Sequence, residues 1–446
     1  MAVWSSVKSS NLYDGFRLDA EFYKPEFIDS DQTIKKHKVK RLDSLTKKID
    51  VGYVGSISSE YAEQGVNLLQ TRNVKPFFLN TENCSKINLA FHENLKKSQV
   101  KTGDILLARS GSFGAASMHF GNDILNSADI IIIEPLQNEV NPLYLLAFIN
   151  SWYGQYQLKR YVSGGVQGHV NLTILENLEV PILDKSIQEK VAREVSEAYR
   201  LLQTSYQAYN DAQELMMDSL GLNKIDLQAH LYFTKNFSSV LNSSRFDAEF
   251  FNPRMQNLLE ALSCDKLNLS EISRQPKERF KPDADKYYSY IEISDITGNG
   301  RAESSTIKGA DAPSRAKWVV KPGDLITSTV RPVRRLSAII SEEQEGFICS
   351  SGFEVLRPKN ISAEVLLVYL RLPLICELLD LHTTASMYPT ISPTDLLQIP
   401  ISLPDEDSQI KIKKLVQKSF DTRVKSVMMT ESAKTLVEKA ISGKVY

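Results

Sequence analysis

The 446 residues exceed one ordinary domain and correspond to about three units of roughly 150 residues each. A composition 42% apolar and 24% charged, with 20 Gly and 17 Pro, excludes disordered, collagenous and low-complexity chains. With 53 Lys and Arg against 54 Asp and Glu the net charge is −1, so there is no global attraction to phosphate and any cationic surface must be local.

The N-terminal stretch MAVWSSVKSS has no apolar core of the kind a secretion signal carries. Apolar runs such as Ile130–Ile133 and Leu366–Leu370 fall far short of the roughly 20 residues a membrane helix needs. A cytoplasmic protein with no membrane role is expected. The four cysteines are widely spaced with no C-x-x-C, and the six histidines show no ligand spacing, so neither a metal nor a disulfide framework is expected.

The chain repeats itself. The arm RLDAEFYKP at 17–25 returns as RFDAEFFNP at 245–253, identical at six of nine positions. KTGDILLARSG at 101–111 pairs with KPGDLITSTVR at 321–331, LENLEVPI at 175–182 with TDLLQIPI at 394–401, and Gln188 with Gln409. Four collinear blocks at nearly constant offset identify a tandem duplication.

In the first half, Gly52–Asn73, Gly103–Arg109 and Asp129–Glu134 read as strand-rich runs bounded by turn residues, and Pro142–Leu158 as a helix. From Ser186 to Leu220 apolar residues recur every three or four positions, and Gly221 closes the helix. In the second half the order is Tyr287–Ile296, Asp324–Val330, Gly346–Leu356, then Glu364–Asp380 as a helix. A looser stripe through Ile412, Val416, Phe420, Val427, Leu436, Val437 and Ala440 predicts a second long helix over Gln409–Ile441, ended by Gly443. Helices of this size are roughly 50 Å long, and their narrow stripes predict that the two pack antiparallel on each other as a spacer. The fold class expected is α+β: two globular mixed α/β regions separated by two long antiparallel helices, with pseudo-two-fold repetition.

Enzyme signatures are missing. There is no G-x-x-x-x-G-K-[ST] loop, no G-x-G-x-x-G turn in a strand-to-helix frame, and no G-x-S-x-G elbow. GGVQG at 164–168 lacks the frame, Asn141-Pro142 suits a helix start, and Pro282-Asp283 suits a turn.

What remains are polar groups on Gly-flanked loops, which suit recognition. The first half offers Arg72 and Asn73, then Arg109, Ser110 and Ser112, then Gln167, His169 and Asn171. At corresponding places the second half offers Glu292 and Asp295, then Arg331, Arg334 and Arg335, then Met387, Tyr388 and Thr390. Arg bidentate to guanine and Asn or Gln bidentate to adenine are the geometries that specify bases in a major groove. Lys317 to Arg335 carries five cations against Asp324 alone, a patch suited to phosphate, although charged runs are also ordinary solvated surface.

The ordered blocks, the SGGVQGHVNLTILENLEVPIL and TTASMYPTISPTDLLQIPISLP segments and the helix after each resemble the specificity subunit of type I restriction-modification enzymes over essentially the whole chain. The resemblance implies two target-recognition domains, 1–185 and 222–405, and two spacer helices, 186–221 and 406–446. Each domain would bind one half of a bipartite, asymmetric double-stranded DNA site. The helices would dock two methyltransferase subunits, which hold S-adenosylmethionine and methylate adenine, and restriction subunits would join them. This chain would be no enzyme and would hold no cofactor. On that reading Arg72, Asn73, Arg109, Ser110, Ser112, Gln167 and His169 read one half-site, and Arg331, Arg334, Arg335, Tyr388 and Thr390 the other. Two alternatives stay open: a protein-binding scaffold without DNA, and a specificity subunit of another methylation-based phage-defence system.

Overall fold

The computed structural model describes residues 6–7 and 19–443, apart from 83, 112, 163–168, 229, 244, 264–266 and 385–386. The chain falls into two compact units. One comprises the residues up to Leu202 together with those from Val424; the other is Gln203–Arg423.

The first unit is built on a sheet of β1 (Thr46–Val51), β2 (Ile105–Ala108), β3 (Ala116–Met118) and β4 (Ile130–Pro135), paired in the order β1-β4-β2-β3, with Phe77–Phe78 added at the β3 edge. The second unit has β5 (Ser273–Arg274), β6 (Leu325–Ser328), β7 (Ser337–Ile339) and β8 (Phe353–Pro358) in the order β5-β8-β6-β7. The topology is the same. Both units add a four-stranded sheet containing one parallel pair, Tyr61–Leu69 with Leu125–Ser127 and Tyr287–Ile291 with Ile348–Ser350. Both tie an early strand to the repeated proline block: Val39–Arg41 to Glu179–Pro181, and Leu267–Asn268 to Pro400–Ile401.

The repeat extends to single hydrogen bonds. Gly103 (φ 88°) and Gly323 (φ 79°) turn the chain left-handed before β2 and β6, a conformation glycine adopts without a Cβ penalty. Just after them, Asp104 and Asp324 each accept from the backbone N–H three residues earlier, at Lys101 and Lys321 (2.8 and 2.9 Å). The hydroxyls of Tyr144 and Tyr369 donate to the carbonyls of Pro181 and Pro400. Gln188 and Gln409 both donate to the carbonyl five residues back. In the two arms, Asp19 and Asp247 accept from the N–H of Phe22 and Phe250, capping the short helical turns that follow.

The long helices run over Lys185–Ser219 and Glu406–Ser442, with Gly221 and Gly443 left-handed just beyond them. Each contributes one portion to each unit. In the first unit Val191 and Val195 share a core with Ala433, Val437 and Ile441, and the Ser426 hydroxyl donates to the Ala198 carbonyl. In the second, Tyr209, Ala212 and Met216 share a core with Ile412 and Val416, and the Ser205 hydroxyl donates to the Ser419 carbonyl. Rising numbers on one helix meet falling numbers on the other, so the pair is antiparallel. Val427, expected on the seam, is instead exposed.

Two helices expected as continuous are broken. The first is Pro142–Asn150 and Trp152–Val162, interrupted where Ser151 is extended (ψ 162°) and the backbone of Gly154 lies so close to the Phe148 carbonyl that a Cβ would clash. The second is Ala363–Leu370 and Pro373–Leu381; Pro373 holds Leu372 extended and starts a new helix. The Gly346–Leu356 run is likewise two strands, Ile348–Ser350 and β8.

Candidate nucleic-acid interface

The loop after β2 and the loop after β6 are the places where the duplicated frame presents unlike side chains. In the first unit Arg109 follows β2. Its guanidinium is half-buried, donating to Asp129 (2.8 Å) and to the Val170 carbonyl (3.3 Å), while its own carbonyl accepts from Val170 N–H. That bond brings exposed His169 beside Arg109. Asp129 is itself left-handed (φ 54°), an uncommon state for a residue with a Cβ.

Asp129 also borders an open groove of about 520 Å³ whose walls include Tyr53, Val54, Tyr61, Thr71 and Arg72. Val54 and Tyr61 are exposed, and exposed Arg72 donates to the Ser85 hydroxyl (3.0 Å). Arg72, Arg109, Ser110 and His169 therefore belong to one surface region, with Tyr53, Tyr61 and Asp129 as members the sequence reading missed. The aromatic pair sits in a strand-like stretch whose period gives no sign of which ring faces out.

Asn73 is a correction. It is 3% exposed; its side-chain carbonyl accepts from Gln70 N–H (2.9 Å) and its amide donates to the Asn80 carbonyl (2.9 Å). With both ends used inside the fold it has nothing to offer a base. Asp295 occupies the matching place in the second unit and accepts from Glu292 N–H (2.7 Å), so this position is a backbone cap in both copies. Ser112 and Gln167 lie outside the described residues.

In the second unit the loop Arg331–Arg335 docks on Met387–Thr390, next to the paired strands Thr383–Thr384 and Thr390–Ile391. Arg331 N–H donates to the Pro389 carbonyl (2.8 Å), its guanidinium donates to the Met387 carbonyl (3.1 Å) and lies 5.2 Å over the Tyr388 ring, and Val330 bridges Thr390. Thr390 uses its hydroxyl on the Tyr388 carbonyl (2.9 Å). Arg334 is exposed, with no side-chain partner among the described residues. Val333, Met387 and Tyr388 are exposed beside it. Cations interleaved with an aromatic face suit a polyanion carrying flat bases.

Arg335, also expected to read, turns inward instead. Its guanidinium donates to the Arg371 carbonyl (2.7 Å). The wider cationic run is likewise partly spent: Lys321 pairs with Glu278 (3.1 Å) and Lys317 lies over the Trp318 ring. Arg334 is the cation of the run with no side-chain partner among the described residues, and Arg331 is exposed near it.

The two loops differ in strain. Left-handed positions at Gly111 (φ 66°) and Gly114 (φ 79°) in the first unit fall on Arg331 (φ 49°) and Arg335 (φ 59°) in the second. Glycine adopts this conformation freely, whereas a residue with a Cβ loses about 1–2 kcal/mol there. The second loop is held in place by its surroundings.

Among the described residues no three His, Cys, Asp or Glu side chains are grouped to hold a metal, and no helix is long and apolar enough to cross a membrane. Residues 34–210 match the model of the type I restriction modification DNA specificity domain. A curated relative, the type I restriction enzyme HindI specificity subunit of Haemophilus influenzae, is 27% identical over 158 residues, covering 33% of this chain and 33% of the relative. The matched stretch thus spans about a third of that relative's length. Among solved structures, a type I restriction-modification S subunit from M. genitalium is similar over 90% of this chain and 95% of its own, with 14% identity and a TM-score of 0.41. The HsdS subunit from Thermoanaerobacter tengcongensis is similar over 92% and 97%, with 14% identity and a TM-score of 0.30.

Proposed function

We propose that this chain is the DNA target-recognition subunit of a type I restriction-modification system, binding a bipartite, asymmetric duplex site with one recognition domain per half-site. The observation that carries the reading is that two copies of one fold present unlike groups at the same place: exposed Arg72 and His169 with half-buried Arg109 in one, exposed Arg331, Arg334 and Tyr388 in the other. A shared frame with different readers suits a split site whose halves differ. A formal net charge of −1 is compatible with this, since binding needs only local cations.

On this reading residues 1–185 and 222–405 are the recognition domains, and 186–221 and 406–446 the spacer helices. Two methyltransferase subunits dock on the helices and carry S-adenosylmethionine; restriction subunits complete the complex. The specificity chain works in the cytoplasm, performs no chemistry itself and orients the target for its partners.

Mapping methylated adenines genome-wide in cells with and without the gene tests the proposal. The expected result is a split, asymmetric motif that vanishes on deletion. Unchanged methylation with the partner methyltransferase expressed would overturn the reading in favour of a protein scaffold.

A further inference from the structure

The strained loop of the second unit is held by one buried cation. Arg371 is 6% exposed, and its guanidinium donates to the carbonyls of Arg335 (2.7 Å), Ser337 (3.2 Å) and Gly298, and to the Tyr209 hydroxyl (2.8 Å). The Arg335 guanidinium answers by donating to the Arg371 carbonyl (2.7 Å). Among the described residues no carboxylate pairs with Arg371; its acceptors are neutral oxygens. Burying a cation without a counter-ion is unfavourable unless its donors are satisfied, and a planar guanidinium can pin several backbone oxygens at once. A lysine has no such fork.

The first unit holds the matching carbonyls by different means. Ala116 and Gly114, which match Ser337 and Arg335 in the strand pairing, are held there by neutral amides: buried Asn150 donates to the Ala116 carbonyl (2.8 Å) and Gln155 to the Gly114 carbonyl (2.7 Å). There the left-handed positions are glycines, so the amides hold a turn that carries no Cβ strain. Arginines at left-handed positions with a buried guanidinium beneath them occur in one copy, and glycines with two amides beneath them in the other.

We infer that Arg371 is a positioning residue: it fixes the left-handed loop Arg331–Arg335 so that Arg331 and Arg334 face the second half-site, and through Tyr209 it ties that loop to the first long helix. The inference rests on the DNA-recognition reading. Recognition of the second half-site is then set partly from within the unit, by a residue that never touches DNA.

The test uses the full chain with its methyltransferase partners. Amide hydrogen exchange in Arg371→Lys should rise across 331–337 and stay unchanged across 109–116. Binding to duplexes altered in one half-site at a time should show discrimination at the second half-site falling roughly tenfold or more, with the first unaffected. Arg335→Gly in the Arg371→Lys background should restore discrimination in part, because it removes one strained residue that does not read. Tyr209→Phe, which keeps the core shape, should give a smaller loss of the same pattern. Equal loss at both half-sites, no loss in a folded variant, or no rescue by Arg335→Gly would overturn the inference. Failure of the underlying reading is distinct: it would show in the unaltered protein as no half-site discrimination at all, while the exchange measurement still reports on the loop.

Discussion

At the foot of the central sheet the two units place different partners against the same aspartate. β4 runs opposite β2 so that Glu134 follows in register across from Asp104, and β8 runs opposite β6 so that Arg357 lies across from Asp324. In the second unit the result is a two-pronged ion pair at 2.6 and 2.8 Å around a fully buried carboxylate. In the first it is two carboxylates side by side. Burial pushes the Asp104 carboxyl up, with Glu134 adding to the push, while the Lys47 ammonium holds the Glu134 carboxyl below its usual range. Both aspartates nevertheless keep the backbone bond that forms the turn. The copies share what shapes the backbone and diverge in what side chains do with it, the same division seen between the loops after β2 and β6.

The contrast can be broken most sharply at the ion pair. Arg357→Ala leaves Asp324 buried without its cation and should lower the stability of the second unit by about 3–5 kcal/mol. Glu134→Ala removes an exposed pairing with Lys47 and should change the first unit by no more than about 0.5 kcal/mol. Urea unfolding followed at Trp152 in one unit and Trp318 in the other separates the two, and equal losses would dissolve the distinction.

Recognition should divide likewise. Arg334→Ala is expected to weaken one half-site by about 1–3 kcal/mol if it contacts a base, leaving the other unchanged, as read by binding to singly altered duplexes. A uniform loss on every sequence would make it a phosphate contact.

Sameness has its own test. A Cβ at Gly103 or at Gly323 would meet nothing within 4 Å, so Gly→Ala at either is opposed only by its left-handed backbone. Both substitutions should lower stability alike, by about 1–2 kcal/mol. Unequal values would mean that the turns are not equivalent.

The smallest effect concerns pH. A buried carboxyl whose folded pKa is raised destabilises the fold when ionised, so its penalty is present at neutral pH and is relieved as pH falls through the raised value. Asp104→Asn should therefore be more stable than the parent at neutral pH, and the gap should close on acidification. Lys101 and Lys48 oppose the shift and keep it small. A gap that widens in acid would mean that the fold favours the ionised Asp104 carboxylate instead.

Much of this frame is legible in the sequence because glycines, prolines and capping aspartates act locally. Gly103 and Gly323 mark their turns, Asp19 and Asp247 their caps, and Gly221 and Gly443 the helix ends, all by residue type alone. The site is less legible because exposure is a tertiary property. Asn73 and Arg335 are polar residues on loops, as readers should be, yet one closes a cap and the other a bond to Arg371. Asp129 and Tyr61 show the reverse, since a strand run conceals which of its members face outward. Pro373 did carry the signal for a broken helix, but the break at Ser151 depends on packing around Gly154 that no local pattern reveals. The looseness of the second helical stripe has a simple origin: Ser419 and Ser426 are buried on the seam where apolar residues would strengthen the period.

Those seam serines carry one more consequence. In the second unit, the amide of Asn299 donates to the hydroxyls of both Ser205 and Ser419 (3.0 and 3.1 Å). Sliding one helix by seven residues toward Ile412 would put the Ser205 hydroxyl against an aliphatic side chain and strand the Asn299 amide in the interior. Alignment of the two helices is therefore indexed, like a key that seats at one notch. A change in length that keeps the same faces on the seam must add close to a whole number of turns, about 5.4 Å each, to both helices.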